Sequence, residues 1–113
     1  MSNPKTIVAK DTGPAEVFAA LGDPVRLWIL RVLCDGRQHS ITRMWLGTHV
    51  SRQAVTKHLR VLERAGLVER HEFGREVRYN LKPEGLDEAQ DFLDLVHEFW
   101  EKHLARSRDL VGE

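Results

Sequence analysis

The stretch SRQAVTKHLRVLERAGLV, from Ser51 to Val68, decides how the rest of the chain is read. Ser51 is a helix N-cap residue, whose hydroxyl accepts from the unpaired backbone N–H groups of a first turn, and Gly66 is the residue expected just past a helix end. Between them Val55, Leu59 and Leu62 recur at i, i+4 and i+7 with Ala54 and His58 beside them, which predicts a helix from Arg52 to Ala65 with this face inward. The opposite face holds Arg52, Gln53, Thr56, Lys57 and Arg60, all cationic or hydrogen-bonding.

Downstream, Leu67 to Glu72 and Glu76 to Leu81 are short alternating runs around Phe73-Gly74-Arg75, the pattern of a hairpin that packs Val68, Val77, Tyr79 and Leu81. Upstream, Ser40 can cap a short helix through Ile41, Met44 and Trp45. Asp23-Pro24 opens a further helix, Val25 to Leu33, which is apolar on more than one side and stops at Asp35-Gly36. Ala15 to Leu21 is a short helix ended by Gly22, and residues 1–13 read as a flexible tail, leaving 14–113 as one domain.

After Lys82-Pro83 a long helix is expected over about 86–110. Its seam of Leu86, Ala89, Leu93, Val96, Trp100, His103, Ser107 and Leu110 keeps heptad spacing, and Phe92, Leu95, Phe99 and Leu104 widen it. That is more apolar surface than a small domain covers by itself. The fold class is therefore mainly α with a small β-hairpin, a winged helix-turn-helix with a long C-terminal dimerisation helix.

Charge supports a division of labour. The 113 residues hold 17 basic and 17 acidic side chains, but residues 51–81 carry seven basic against four acidic and residues 82–113 four basic against nine acidic. A basic middle and an acidic end suit a protein that turns its middle toward a polyanion. A winged-helix module that docks a protein through the acidic helix and has no DNA site is the competing reading. Catalysis is not expected: no nucleophile and base stand at diagnostic spacing, phosphate-loop glycine patterns are missing, and Ser51 is used as a cap. No apolar run has the 18 or so residues of a membrane-spanning helix, so the expected setting is cytoplasmic, without membrane contact.

An α-helix fits the B-DNA major groove, and the polar face of the helix at about 51–65 supplies the side chains to read it. Gln53 suits adenine, Arg52 or Lys57 suits guanine, and Arg60 and Arg64 lie farther along, toward phosphate. Ser51 and Thr56 complete this set, and Arg75, at the tip of the hairpin wing at about 67–81, can reach a minor groove or the backbone, with Arg70 and Arg78 flanking it.

Two ordered motifs carry a family resemblance. VFAALGDPVRLWIL, Val17 to Leu30, resembles the N-terminal signature of ArsR-type winged-helix repressors, and Ser51 to Val68 resembles their recognition helix and the start of their wing. The likeness spans about residues 15–110. It implies a homodimer that occupies double-stranded promoter DNA and blocks transcription until an inducer releases it, with the first and last helices forming the dimer surface.

Departures from the family bear on the inducer. Trp45 and Gly47 stand where thiolate-using metal sensors carry two cysteines. A second familiar site needs Asp-x-His and, about ten residues later, His-x-x-Glu. Here Asp94 and His97 are three apart, position 108 is arginine, and Arg106 follows His103. Asp94, His97, Glu98, Glu101 and His103 do line one helix, but the two histidines are six positions apart, which places them on different faces. Neither a metal nor another cofactor is expected, and an unidentified small-molecule inducer stays open. Cys34, the lone cysteine, is read as packing, and Trp45 as core. Trp28, Leu93, Val96 and Trp100 are assigned to the dimer interface, with the alternative that Trp28 and Trp100 line a pocket for an apolar inducer.

Overall fold

The computed structural model of the chain describes residues 13–111. Along it run helices α1 (Gly13–Leu21) and α2 (Pro24–Leu33), strand β1 (His39–Ser40), helices α3 (Ile41–Trp45) and α4 (Arg52–Arg64), strands β2 (Val68–Phe73) and β3 (Glu76–Leu81), a 3-10 turn (Pro83–Leu86) and helix α5 (Asp87–Val111). The expected tail falls outside the described residues through position 12, and Gly13 already belongs to α1.

Local chemistry sets the helix ends. Asp23 accepts from the backbone N–H groups of Val25 (2.8 Å) and Arg26 (3.1 Å), with Pro24 at the first helical position where its missing N–H costs nothing. Ser40 accepts from the Arg43 N–H (3.3 Å) and Ser51 from the Ala54 N–H (3.1 Å). At the end of α4 the Gly66 N–H reaches the Glu63 carbonyl (3.0 Å) and the Leu67 N–H reaches the Leu62 carbonyl (2.9 Å), a paired closure that needs Gly66 at φ +77. Leu62 and Leu67, both fully buried, supply the apolar contact that accompanies it.

The inward stripe of α4, Val55, Leu59 and Leu62, has no solvent exposure and packs with Ile29, Leu33 and Met44 from the two preceding helices. Val68 and Tyr79 close this core from the sheet, with Val77 and Leu81 partly buried against it. Trp45 also packs on the core, and its indole N–H donates to the Val50 carbonyl (3.1 Å). The hairpin turns at Gly74-Arg75, and Phe73 faces Glu76 across it. Only the first of the two turn residues has positive φ, the arrangement that favours glycine first.

Three features differ from expectation. The sheet has three antiparallel strands in the order β1-β3-β2, because His39 and Ser40 pair with Tyr79 and Arg78. Two residues are too few to show alternation. Cys34 is exposed rather than packed: it lies one residue beyond α2, as its C-cap, with its backbone N–H donating to the Arg31 carbonyl. The seam of α5 divides: Ala89 is buried and Phe92, itself still exposed on one side, meets Phe18 of α1 edge-to-face at 5.9 Å, while Leu93, Leu95, Val96, Phe99 and Trp100 are also exposed and meet no described aromatic ring. Ser107 and Leu110, the last seam positions, lie beyond the described side chains.

Candidate nucleic-acid interface

The outward face of α4 presents Arg52, Gln53, Lys57, Arg60 and Arg64, all exposed, on a helix whose other side is fixed in the core. Among the described residues no carboxylate forms an ion pair with any of these cations. Ser51 and Thr56 are partly committed to the backbone: the Ser51 hydroxyl accepts from Ala54, and Thr56 donates to the Arg52 carbonyl (3.1 Å). A Ser51 proton and the Thr56 lone pairs remain for a ligand.

The wing is built differently. Arg70 pairs with Glu72 (2.9 Å) and Arg78 with Glu76 (3.0 Å), and the Arg78 guanidinium also lies over the Phe73 ring at 4.9 Å. Each carboxylate holds its arginine more firmly protonated than usual, and Arg78 in turn pulls the Glu76 carboxyl below the ordinary carboxylate range. Arg70 and Arg78 do flank the tip, but as neutralised pairs. Arg75, exposed at the turn, has no ion-pair partner among the described residues and is the wing's uncommitted cation. Beneath the wing, burial raises the pKa of the Tyr79 hydroxyl, with Glu63 adding to the effect and Arg70 opposing it.

A cluster not anticipated from sequence fixes α4 relative to the first two helices. Arg26 of α2 donates through Nε to the Ala20 carbonyl (2.6 Å) and through Nη2 to the Ala19 carbonyl (3.4 Å), two acceptors in the last turn of α1, the second shared with the Gly22 N–H. Its Nη1 meets His58 Nδ1 of α4 at 3.0 Å. A guanidinium only donates, so Nδ1 accepts and the neutral ring carries its proton on Nε2, which lies 3.8 Å from Asp23 Oδ1. Partial removal from water pushes the Asp23 carboxyl up, but the N–H groups of Arg26 and Val25, with the nearby Arg26 guanidinium, outweigh it and hold it below the ordinary range. The available signal was that Arg26 and His58 are polar residues at half-buried helical positions, where a partner is required.

The interface residues assigned to dimerisation are not all together. Leu93, Val96 and Trp100 are 43%, 48% and 58% exposed on α5. Trp28 of α2 instead donates its indole N–H to the Met44 carbonyl (3.4 Å) and lines a pocket with Val32, Asp35, His39, Arg43, Leu46 and Gly47, a lining that does not include Trp100. No group of His, Cys, Asp and Glu side chains among the described residues is arranged to hold a metal ion. No described helix is long and apolar enough to cross a membrane.

A short helix, a turn, a second helix with a free cationic face and a hairpin at its end define a winged helix-turn-helix protein. Residues 21–71 match the family described as "Helix-turn-helix domain". An ArsR-like transcriptional regulator from Rhodococcus sp. RHA1 is 35% identical and superposes with a TM-score of 0.74, covering 88% of this chain and 92% of its own. An HTH-type transcriptional regulator of Methanocaldococcus jannaschii is 29% identical over 84 residues, 74% of this chain and 91% of that protein. A homodimeric winged helix-turn-helix DNA-binding domain from Mycobacterium bovis, 23% identical, shares the fold with a TM-score of 0.62 over 94% of this chain and 93% of its own. The chain belongs to the ArsR family of transcriptional regulators.

Proposed function

We propose that the protein is a homodimeric, sequence-specific DNA-binding repressor of transcription that places α4 in the major groove. The observation that carries this reading is the row of exposed cations on α4 with no carboxylate partner among the described residues, beside wing arginines that have such partners. A face kept for solvation alone gains nothing from leaving its charges uncompensated, whereas phosphate contacts release counterions and require free cations. Gln53 reads adenine and Arg52 and Lys57 read guanine, while Arg60 and Arg64 meet phosphate, with the hydroxyls of Ser51 and Thr56 adding hydrogen bonds. Arg75 reaches the backbone or minor groove beside the site.

The second copy covers α5. Leu93, Val96 and Trp100 form the contact, which agrees with the homodimeric state named for the Mycobacterium bovis domain. Two recognition helices related by a two-fold axis then read two half-sites. Binding of the apoprotein needs no metal or cofactor.

The test is a fluorescence-anisotropy titration against labelled DNA from upstream of the protein's own gene, with scrambled competitor, chelator and two salt concentrations. The expected result is tight, specific binding that weakens with salt, and a loss of at least a hundredfold for Lys57→Glu with the dimer intact by sedimentation. Wild-type affinity in that variant would remove α4 as the reading surface.

A further inference from the structure

The pocket between α2 and α3 has about 360 Å³ of space, within the range of small-ligand sites. Its walls combine two kinds of group. Trp28 and Leu46 leave 41% and 68% of their surface exposed, large apolar side chains that the monomer does not cover. Gly47 lets the indole lie across the end of α3, since a Cβ there would come within 2.3 Å of Trp28 Cζ2. The result is a flat aromatic wall whose position is set by Gly47 and by the bond to the Met44 carbonyl.

The polar side of the pocket selects for charge. Asp35 is fully engaged: it accepts from the Arg37 N–H (2.9 Å) and meets His39 Nε2 through both oxygens (3.0 and 2.8 Å), and these contacts hold its carboxyl below the ordinary range. Arg43 is exposed, and among the described residues its guanidinium has no hydrogen-bonding or ion-pair partner. We propose that this pocket binds a small planar aromatic carboxylate, the ring lying on Trp28 and Leu46 and the carboxylate taken by the Arg43 fork. Leu46 and Gly47 belong to the turn that leads into Ser51, so a ligand seated here presses on the segment that sets the start of α4. That consequence for DNA rests on the function proposed above, whereas binding itself does not.

The probe is 2-naphthoate, read by fluorine NMR on protein labelled with 5-fluorotryptophan, whose three resonances are assigned by single Trp→Phe variants. No DNA is present, so the outcome is independent of the DNA-binding reading. The expected result is a saturable shift of the Trp28 resonance alone, with affinity at least tenfold weaker in Arg43→Ala and at least tenfold weaker for the neutral 2-naphthylmethanol. Arg43 is exposed, and far-UV circular dichroism of the variant confirms that it is folded. The proposal falls if Trp28 shows no saturable shift, if Trp100 shifts in parallel, or if the variant and the neutral alcohol bind as the wild type binds naphthoate.

Discussion

Helices α4 and α5 are both amphipathic, yet one chain completes the first and not the second. On α4 the apolar stripe of Val55, Leu59 and Leu62 is wholly buried, so what remains outside is polar and cationic. On α5 Ala89 is buried, but Phe99 and Trp100, two turns and more beyond, are 72% and 58% exposed. A helix whose apolar face is satisfied at home offers its other face to a polar partner, whereas a helix with open aromatics needs an apolar one. The two surfaces therefore suit different partners, and on the function proposed above these are nucleic acid for α4 and a second copy for α5.

Truncating the same residue type on each helix tests that contrast most strongly. Leu59→Ala removes a fully buried side chain and should cost about 2–5 kcal/mol at every protein concentration. Leu93→Ala alters a side chain that the monomer leaves 43% exposed, so its cost should appear mainly as a loss of the rise in melting temperature with protein concentration. Thermal melts over a hundredfold concentration range decide it, and parallel behaviour of the two variants would erase the distinction.

Trp100→Glu attacks the α5 face directly. Placing a charge among Val96, Phe99 and their copies in the partner should weaken the dimer at least tenfold by sedimentation equilibrium, and DNA affinity should fall with it because the half-sites are no longer read together. The monomer should keep its fold, since Trp100 supports nothing in its own core. A variant that stays a full-affinity dimer would exclude Trp100 from the contact.

What the sequence made legible follows the range of the interactions. The caps at Asp23, Ser40 and Ser51 and the closure at Gly66 act across a few residues, and the alternation of Val77, Tyr79 and Leu81 is a local period. All of these were readable from spacing. Arg26 and His58 are 32 residues apart, and only the packing of α2 against α4 brings them together. Strand β1 exists because Tyr79 and Arg78 offer it an edge, not because His39-Ser40 has strand character. The wing pairs Arg70–Glu72 and Arg78–Glu76 are a case where the signal was present: residues two apart on a strand share a face, so each arginine already had its carboxylate in view. Trp28 is assigned to the dimer surface by the segment it lies on, and within one subunit its place on α2 beside the turn after α3 sets its neighbours.

The smallest expected effect concerns how firmly α4 is held. Asp23 caps α2 and lies near His58, and its folded carboxyl titrates below the ordinary value of about 3.9 that it regains on unfolding. A depressed folded pKa means that the unfolded chain binds the proton more readily, so the contribution is complete above the unfolded value and declines as pH falls through the folded one. Asn at position 23 keeps an acceptor for the cap but not the charge. Urea denaturation of wild type and Asp23→Asn should therefore show a stability difference that is constant between pH 5 and 7 and shrinks below about pH 4. Leu93→Ala in the same series should lack the concentration dependence of the wild type at pH 5 as at pH 7, because the α5 contact it removes is apolar. A difference between wild type and Asp23→Asn that persists undiminished at pH 3 would show that the hydrogen-bond geometry of the cap, and not its charge, carries the contribution of Asp23.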